Sequence, residues 1–78
     1  MLVPIRVPDL GTERARLSVW FVQPGERVYE GDRVAELLIP GATIDVSAPA
    51  TGLLRETTMR VNDAVTPGQI LGTVEAAG

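Results

Sequence analysis

Lysine, histidine and cysteine are all absent from these 78 residues. Without cysteine, no disulfide or thiolate metal site can staple the chain. Without histidine or lysine, Ser18 and Ser47 lack the usual activators of a serine nucleophile. The basic residues are seven arginines, at 6, 14, 16, 27, 33, 55 and 60, against ten acids. The resulting net charge of −3 disfavours a general electrostatic grip on nucleic acid or an anionic membrane. No apolar run approaches the ~20 residues that span a bilayer. Met1-Leu2-Val3-Pro4-Ile5-Arg6 has no basic region followed by an apolar stretch, so no signal peptide is expected. The expectation is a soluble cytoplasmic protein without membrane insertion. Its length allows one domain, 1–78, with a modest core over residues 2–75 and a frayed tail at 76–78.

Glycine and proline, by contrast, are plentiful: eight and six, spread evenly. They cut the chain into runs of about 5–8 residues, which is strand length. No window sustains a 3.6-residue apolar period. The chain reads as all-β.

The rest is organised around Ala35 to Val46. Two β-type runs flank Pro40-Gly41. Proline suits the first central position of a type I or II turn, and glycine accepts the positive φ that type II requires next. Pairing Ile39 with Ala42 sets Leu37 opposite Ile44 and Ala35 opposite Val46. These six share one apolar face, because side chains alternate along a strand. Glu36, Leu38, Thr43 and Asp45 take the other. Two-residue hairpins favour type I′ or II′ turns, so a slightly splayed or longer turn is expected here.

Elsewhere, Leu2–Val7 is expected as a strand at a sheet edge, because Pro4 cannot donate to a ladder. Val3, Ile5 and Val7 would face the core. A second strand is expected over 14–22, with Ala15, Leu17, Val19 and Phe21 inward. Trp20 then falls on the polar face or at a rim, unless a bulge folds it over the core edge. Further strands are expected at 53–59 and 70–75, with short extended pieces at 27–29 and 64–65. A shift of 37 residues lays Val28-x-x-Gly31-x-x-Val34-x-x-Leu37 on Val65-x-x-Gly68-x-x-Leu71-x-x-Val74. It also lays Leu17 on Leu54, Val22 on Met59 and Glu26 on Asp63. Neither half buries its apolar face alone. Two halves related by an approximate two-fold axis pack as a small sandwich or flattened barrel. The hairpin would project at one end and the termini meet at the other.

From Val3 to Glu75 the chain resembles the lipoyl domains of the biotinyl/lipoyl carrier family. Val7-Pro8-Asp9-Leu10-Gly11 is similar to the opening of lipoyl domains in 2-oxo acid dehydrogenase acyltransferases. Pro24-Gly25-Glu26-Arg27-Val28-x-x-Gly31-Asp32 is similar to their Gly-Asp-x-Val-x-x-Gly-Asp turn. Ala42-Thr43-Ile44-Asp45-Val46-x-Ala48-Pro49-x-x-Gly52 and Val65-x-x-Gly68-Gln69-x-Leu71 resemble the strand and loop after the acceptor and the second glycine turn. The resemblance implies two four-stranded antiparallel sheets with quasi-two-fold symmetry, a hammerhead barrel. In the family the hairpin turn reads Asp-Lys-Ala, and its lysine carries lipoate through an amide. Here the turn reads Pro40-Gly41-Ala42, with Gly41 in the lysine's place. Only a long flexible amine forms that amide and reaches outward. The resemblance therefore implies a degenerate carrier domain without lipoate or biotin, and no other cofactor is expected.

Three kinds of function remain. The first is a protein-binding module whose tip is Leu38, Ile39, Pro40 and Gly41. An apolar tip on an acidic domain suits a protein partner, possible ones being 2-oxo acid dehydrogenase-like or other multienzyme components. Alternatively, Leu38 and Ile39 merely cover the barrel end. Arg14, Arg16 and Arg33 form either a basic patch or scattered surface charge. The second is an enzyme, for which the residues argue poorly. Glu36 and Asp45 are an acid pair without histidine, which makes a weak metal site, and no catalytic residue or metal ligand is expected. The third is a structural part of a larger acyltransferase or membrane-fusion adaptor.

Overall fold

The computed structural model describes residues 1–77. Eight strands succeed one another: β1 (Leu2–Arg6), β2 (Ala15–Trp20), β3 (Arg27–Val28), β4 (Arg33–Ile39), β5 (Ala42–Ser47), β6 (Gly52–Thr57), β7 (Ala64–Val65) and β8 (Ile70–Ala76). They form two four-stranded antiparallel sheets, ordered β1-β8-β6-β3 and β5-β4-β2-β7. The breaks fall where glycine and proline cluster. β1, carrying Pro4, lies at a sheet edge, where its missing N–H costs no ladder bond.

Both sheets contribute to one core. Ile5, Val28, Leu54, Leu71 and Val74 come from the first, and Leu17, Val34, Ala35, Leu37, Val46 and Val65 from the second. The 37-residue repeat is its plan. β2, β3 and β4 map onto β6, β7 and β8, so each sheet mirrors the strand order of the other. Even the irregularities repeat. The β2–β4 register shifts between Leu17 and Val19, and the β6–β8 register between Leu54 and Glu56. The extra residues, Ser18 and Arg55, are 37 apart. The turns clasp the opposite half of the chain reciprocally: Leu54 N–H donates to Glu26 O at 2.9 Å, and Leu17 N–H to Asp63 O at 2.9 Å. Gly25 holds φ +95° and its counterpart Asn62 φ +78°. Glycine and asparagine are the residues that enter this left-handed region most readily.

The bulge at Ser18 overturns the strict alternation expected along β2. Beyond it the inward and outward sets exchange. Phe21 is 39% exposed and Val19 only half-buried, while Trp20 and Val22 pack against the core. Trp20 is thus neither on the polar face nor free. Its ring covers the core edge, and its Nε1–H donates to Met59 O at 3.0 Å, as a half-buried indole requires. The exposed aromatic here is Phe21, with the Arg33 guanidinium 4.1 Å from its ring centre. The tail differs as well. Ala76 belongs to β8, and its N–H donates to Met1 O at 2.8 Å. Gly78, the end of the expected tail, lies outside the described residues.

Candidate functional site

The β4–β5 hairpin has the expected register: Ile39 opposite Ala42, Leu38 opposite Thr43, Leu37 opposite Ile44, Glu36 opposite Asp45 and Ala35 opposite Val46. The turn is therefore Pro40-Gly41 alone, so that of the splayed or longer turn expected the longer one is not formed. Proline fixes the first φ near −65°, and Gly41 takes φ +78°, the combination a type II turn needs. A shift between Arg33 and Ala35 lets Val34 and Ala35 both point inward, anchoring the base of the hairpin. Toward the tip the apolar face emerges from the core. Ala35, Leu37 and Val46 are buried, Ile39 and Ile44 are half-buried, and Ala42 is exposed.

On the outer face Leu38 is 45% exposed. It stands opposite Arg16 of β2, which in turn stands opposite Ala64 of β7. Thr43, Leu38, Arg16 and Ala64 thus form one row across the whole sheet. Beside this row lies a groove of about 410 Å³, bounded by residues 13–16, residues 38–40 and Ala64. Of the expected tip residues, Leu38, Ile39 and Pro40 contribute to it. Gly41 stands at the apex, where a Cβ would meet nothing within 4 Å. Glu13, Ala15 and Ala64 were not expected at the site. Ala64 reaches it only because β7, 48 residues further along, pairs with β2, a contact that local sequence does not announce.

The three arginines do not make one patch. Arg14 and Arg16 border the groove, but Arg33 stands at the opposite end of β4, five residues from Leu38, or about 16 Å at 3.3 Å per residue. There it lies 3.9 Å from Asp45 and over Phe21. Glu36 and Asp45 are cross-strand neighbours as expected, and the Arg33 guanidinium stands on the Asp45 side of the pair. Among the described residues no three acids, histidines or cysteines gather as a metal site would need. Ser18 occupies the bulge of β2, and Ser47 pairs with Arg33 across the β4–β5 ladder.

A family model described as "Biotin-requiring enzyme" matches residues 3–74. The dihydrolipoyllysine-residue succinyltransferase component of the 2-oxoglutarate dehydrogenase complex of Bacillus subtilis is 31% identical over 80 residues, covering 99% of this chain and 19% of that protein. The dihydrolipoyllysine-residue acetyltransferase component of the pyruvate dehydrogenase complex of Cupriavidus necator is 32% identical over 76 residues, covering 96% of this chain and 14% of that protein. The chain thus spans a fifth or less of the length of these relatives. The solution structure of the lipoyl domain of the 2-oxoglutarate dehydrogenase complex from Azotobacter vinelandii superposes with a TM-score of 0.72 at 22% identity, covering 95% of this chain and 99% of that one. That likeness shows the fold.

Proposed function

The chain belongs to the biotin/lipoyl family, and on that premise we propose that it is a lipoyl-like domain that carries neither lipoate nor biotin. In this reading it serves as a protein-binding or assembly module of a multienzyme complex of the 2-oxo acid dehydrogenase kind, with the hairpin tip as its contact surface. One observation carries this reading: the 78 residues contain no lysine, and the hairpin turn presents Gly41. The residues at the tip do not fit the group. An amide to lipoate or biotin needs a side-chain amine, and an arginine guanidinium does not replace it.

A second reading has a specific support. The likeness to one part of much longer acyltransferase components suits a structural element of a larger acyltransferase; a membrane-fusion adaptor is the other form this reading takes. Both readings exclude the carrier role and share one test. The protein is incubated with lipoate ligase, ATP and lipoate, and separately with biotin ligase, ATP and biotin. Intact-mass measurement is expected to return the unmodified chain each time. A lipoyl or biotinyl mass on any internal peptide would overturn the proposal.

A further inference from the structure

Resting on the reading of the tip as a protein-binding surface, we infer that the groove beside it receives an extended, acidic segment of a partner protein. That segment carries two carboxylates one residue apart, next to an apolar side chain. The inference stands on the pairing of charges. Acids outnumber arginines in this chain, yet the arginines of the groove have none. Arg33 and Arg55 each lie 3.9 Å from a carboxylate, and Arg6 donates to Gly68 O at 3.0 Å. Among the described residues Arg14 and Arg16 have no carboxylate within 4.0 Å and no side-chain hydrogen bond. Arg27 and Arg60, also without acids, do not border the groove.

The spacing sets the form of the ligand. Arg14 and Arg16 are two positions apart, about 7 Å in extended chain, and an extended segment repeats its side chains on one face at the same interval. Glu13 at one side, and Glu36 diagonal to Arg16 across the β2–β4 pair, confine the positive strip to two charges. The floor of Leu38, Ile39, Pro40 and Ala64 gives an apolar residue its place. Leu38 and Pro40 are exposed, so the floor is too open to enclose a small molecule, whose sites bury most of its surface. A segment whose parent protein shields the rest suits it better.

The test is a titration of the isotope-labelled protein, read by amide chemical shifts. One synthetic peptide carries two glutamates one residue apart beside a leucine; a second carries glutamines instead. The glutamate peptide is expected to move the amides of residues 13–16, 38, 39 and 64, and the glutamine peptide to bind about tenfold more weakly or worse. Arg14→Glu with Arg16→Glu, both on the exposed surface, is expected to lose the glutamate peptide and to accept a version with two arginines. Amide dispersion reports whether the variant is folded. Equal binding of the two peptides, shifts confined to another surface, or no shifts would overturn the inference. Octanoate moving the same amides as strongly as the peptide would also overturn it, in favour of a small carboxylate. None of these outcomes bears on whether the chain is lipoylated, which the mass measurement decides separately.

Discussion

At the scale of the residue, Leu38 and Trp20 show how one position along a strand decides a role. Leu38 sits in a central strand but on its outer face, nearly half exposed. An exposed position without special backbone or packing features contributes little to stability. Leu38→Asp is therefore expected to cost about 1 kcal/mol or less in a urea melt, most of it from the poor strand propensity of aspartate. The same change places a carboxylate beside Arg16 and is expected to abolish binding of the glutamate peptide. A loss of several kcal/mol would place Leu38 in the core and remove it from the surface. Trp20 lies two residues past the bulge at Ser18, and that one extra residue turns it inward and Phe21 outward. Alternation predicts the reverse, because a bulge leaves no clear mark in a run such as Arg16-Leu17-Ser18-Val19-Trp20.

At the scale of the element, the β4–β5 hairpin is the part most legible from sequence. Its apolar face fixes its register, since a one-residue slip would turn that face to solvent, and the observed pairs follow it. The tip should then stand where a lipoyl-attaching enzyme meets it in relatives that carry the lysine. Pro40→Asp with Gly41→Lys is expected to give measurable lipoylation by a lipoate ligase, read by mass. Gly41→Lys alone is expected to do worse. The new side chain meets open space, but at φ +78° a non-glycine residue costs about 1 kcal/mol or more. Pro40 would still bias the turn. A folded double variant without a mass gain would show that the divergence extends beyond the turn into the surface the ligase reads.

At the scale of the whole molecule, the two-fold repeat makes a quantitative demand. Leu17 and Leu54 are 37 residues apart, wholly buried, and hydrogen-bonded in the same way to the opposite half. Truncating a buried leucine removes transfer free energy and leaves a cavity, at about 2–5 kcal/mol. Leu17→Ala and Leu54→Ala should therefore lower unfolding free energy by amounts agreeing within about 1 kcal/mol. Denaturant melts followed by circular dichroism check this, and a difference of several kcal/mol would show that the halves do not share the core equally. Against the ~5–15 kcal/mol typical of folded domains, either change uses up much of the stability of a chain this short.

The sequence by itself determined the all-β class, the strand breaks, the hairpin register and the repeat. The first three depend on neighbours a few residues apart, through glycine and proline at turns and a period of two along strands, and the repeat on the same local pattern recurring after 37 residues. The absence of lysine and the Pro40-Gly41 turn are likewise read directly from the sequence. Tertiary structure alone decided the burial of Trp20, the separation of Arg33 from Arg14 and Arg16, and the groove that joins residues 13–16, 38–40 and 64. The physical reason is common to all three. A bulge and a pairing between strands far apart in the chain are settled by the packing of two sheets over one core, and no single strand carries the information that fixes them.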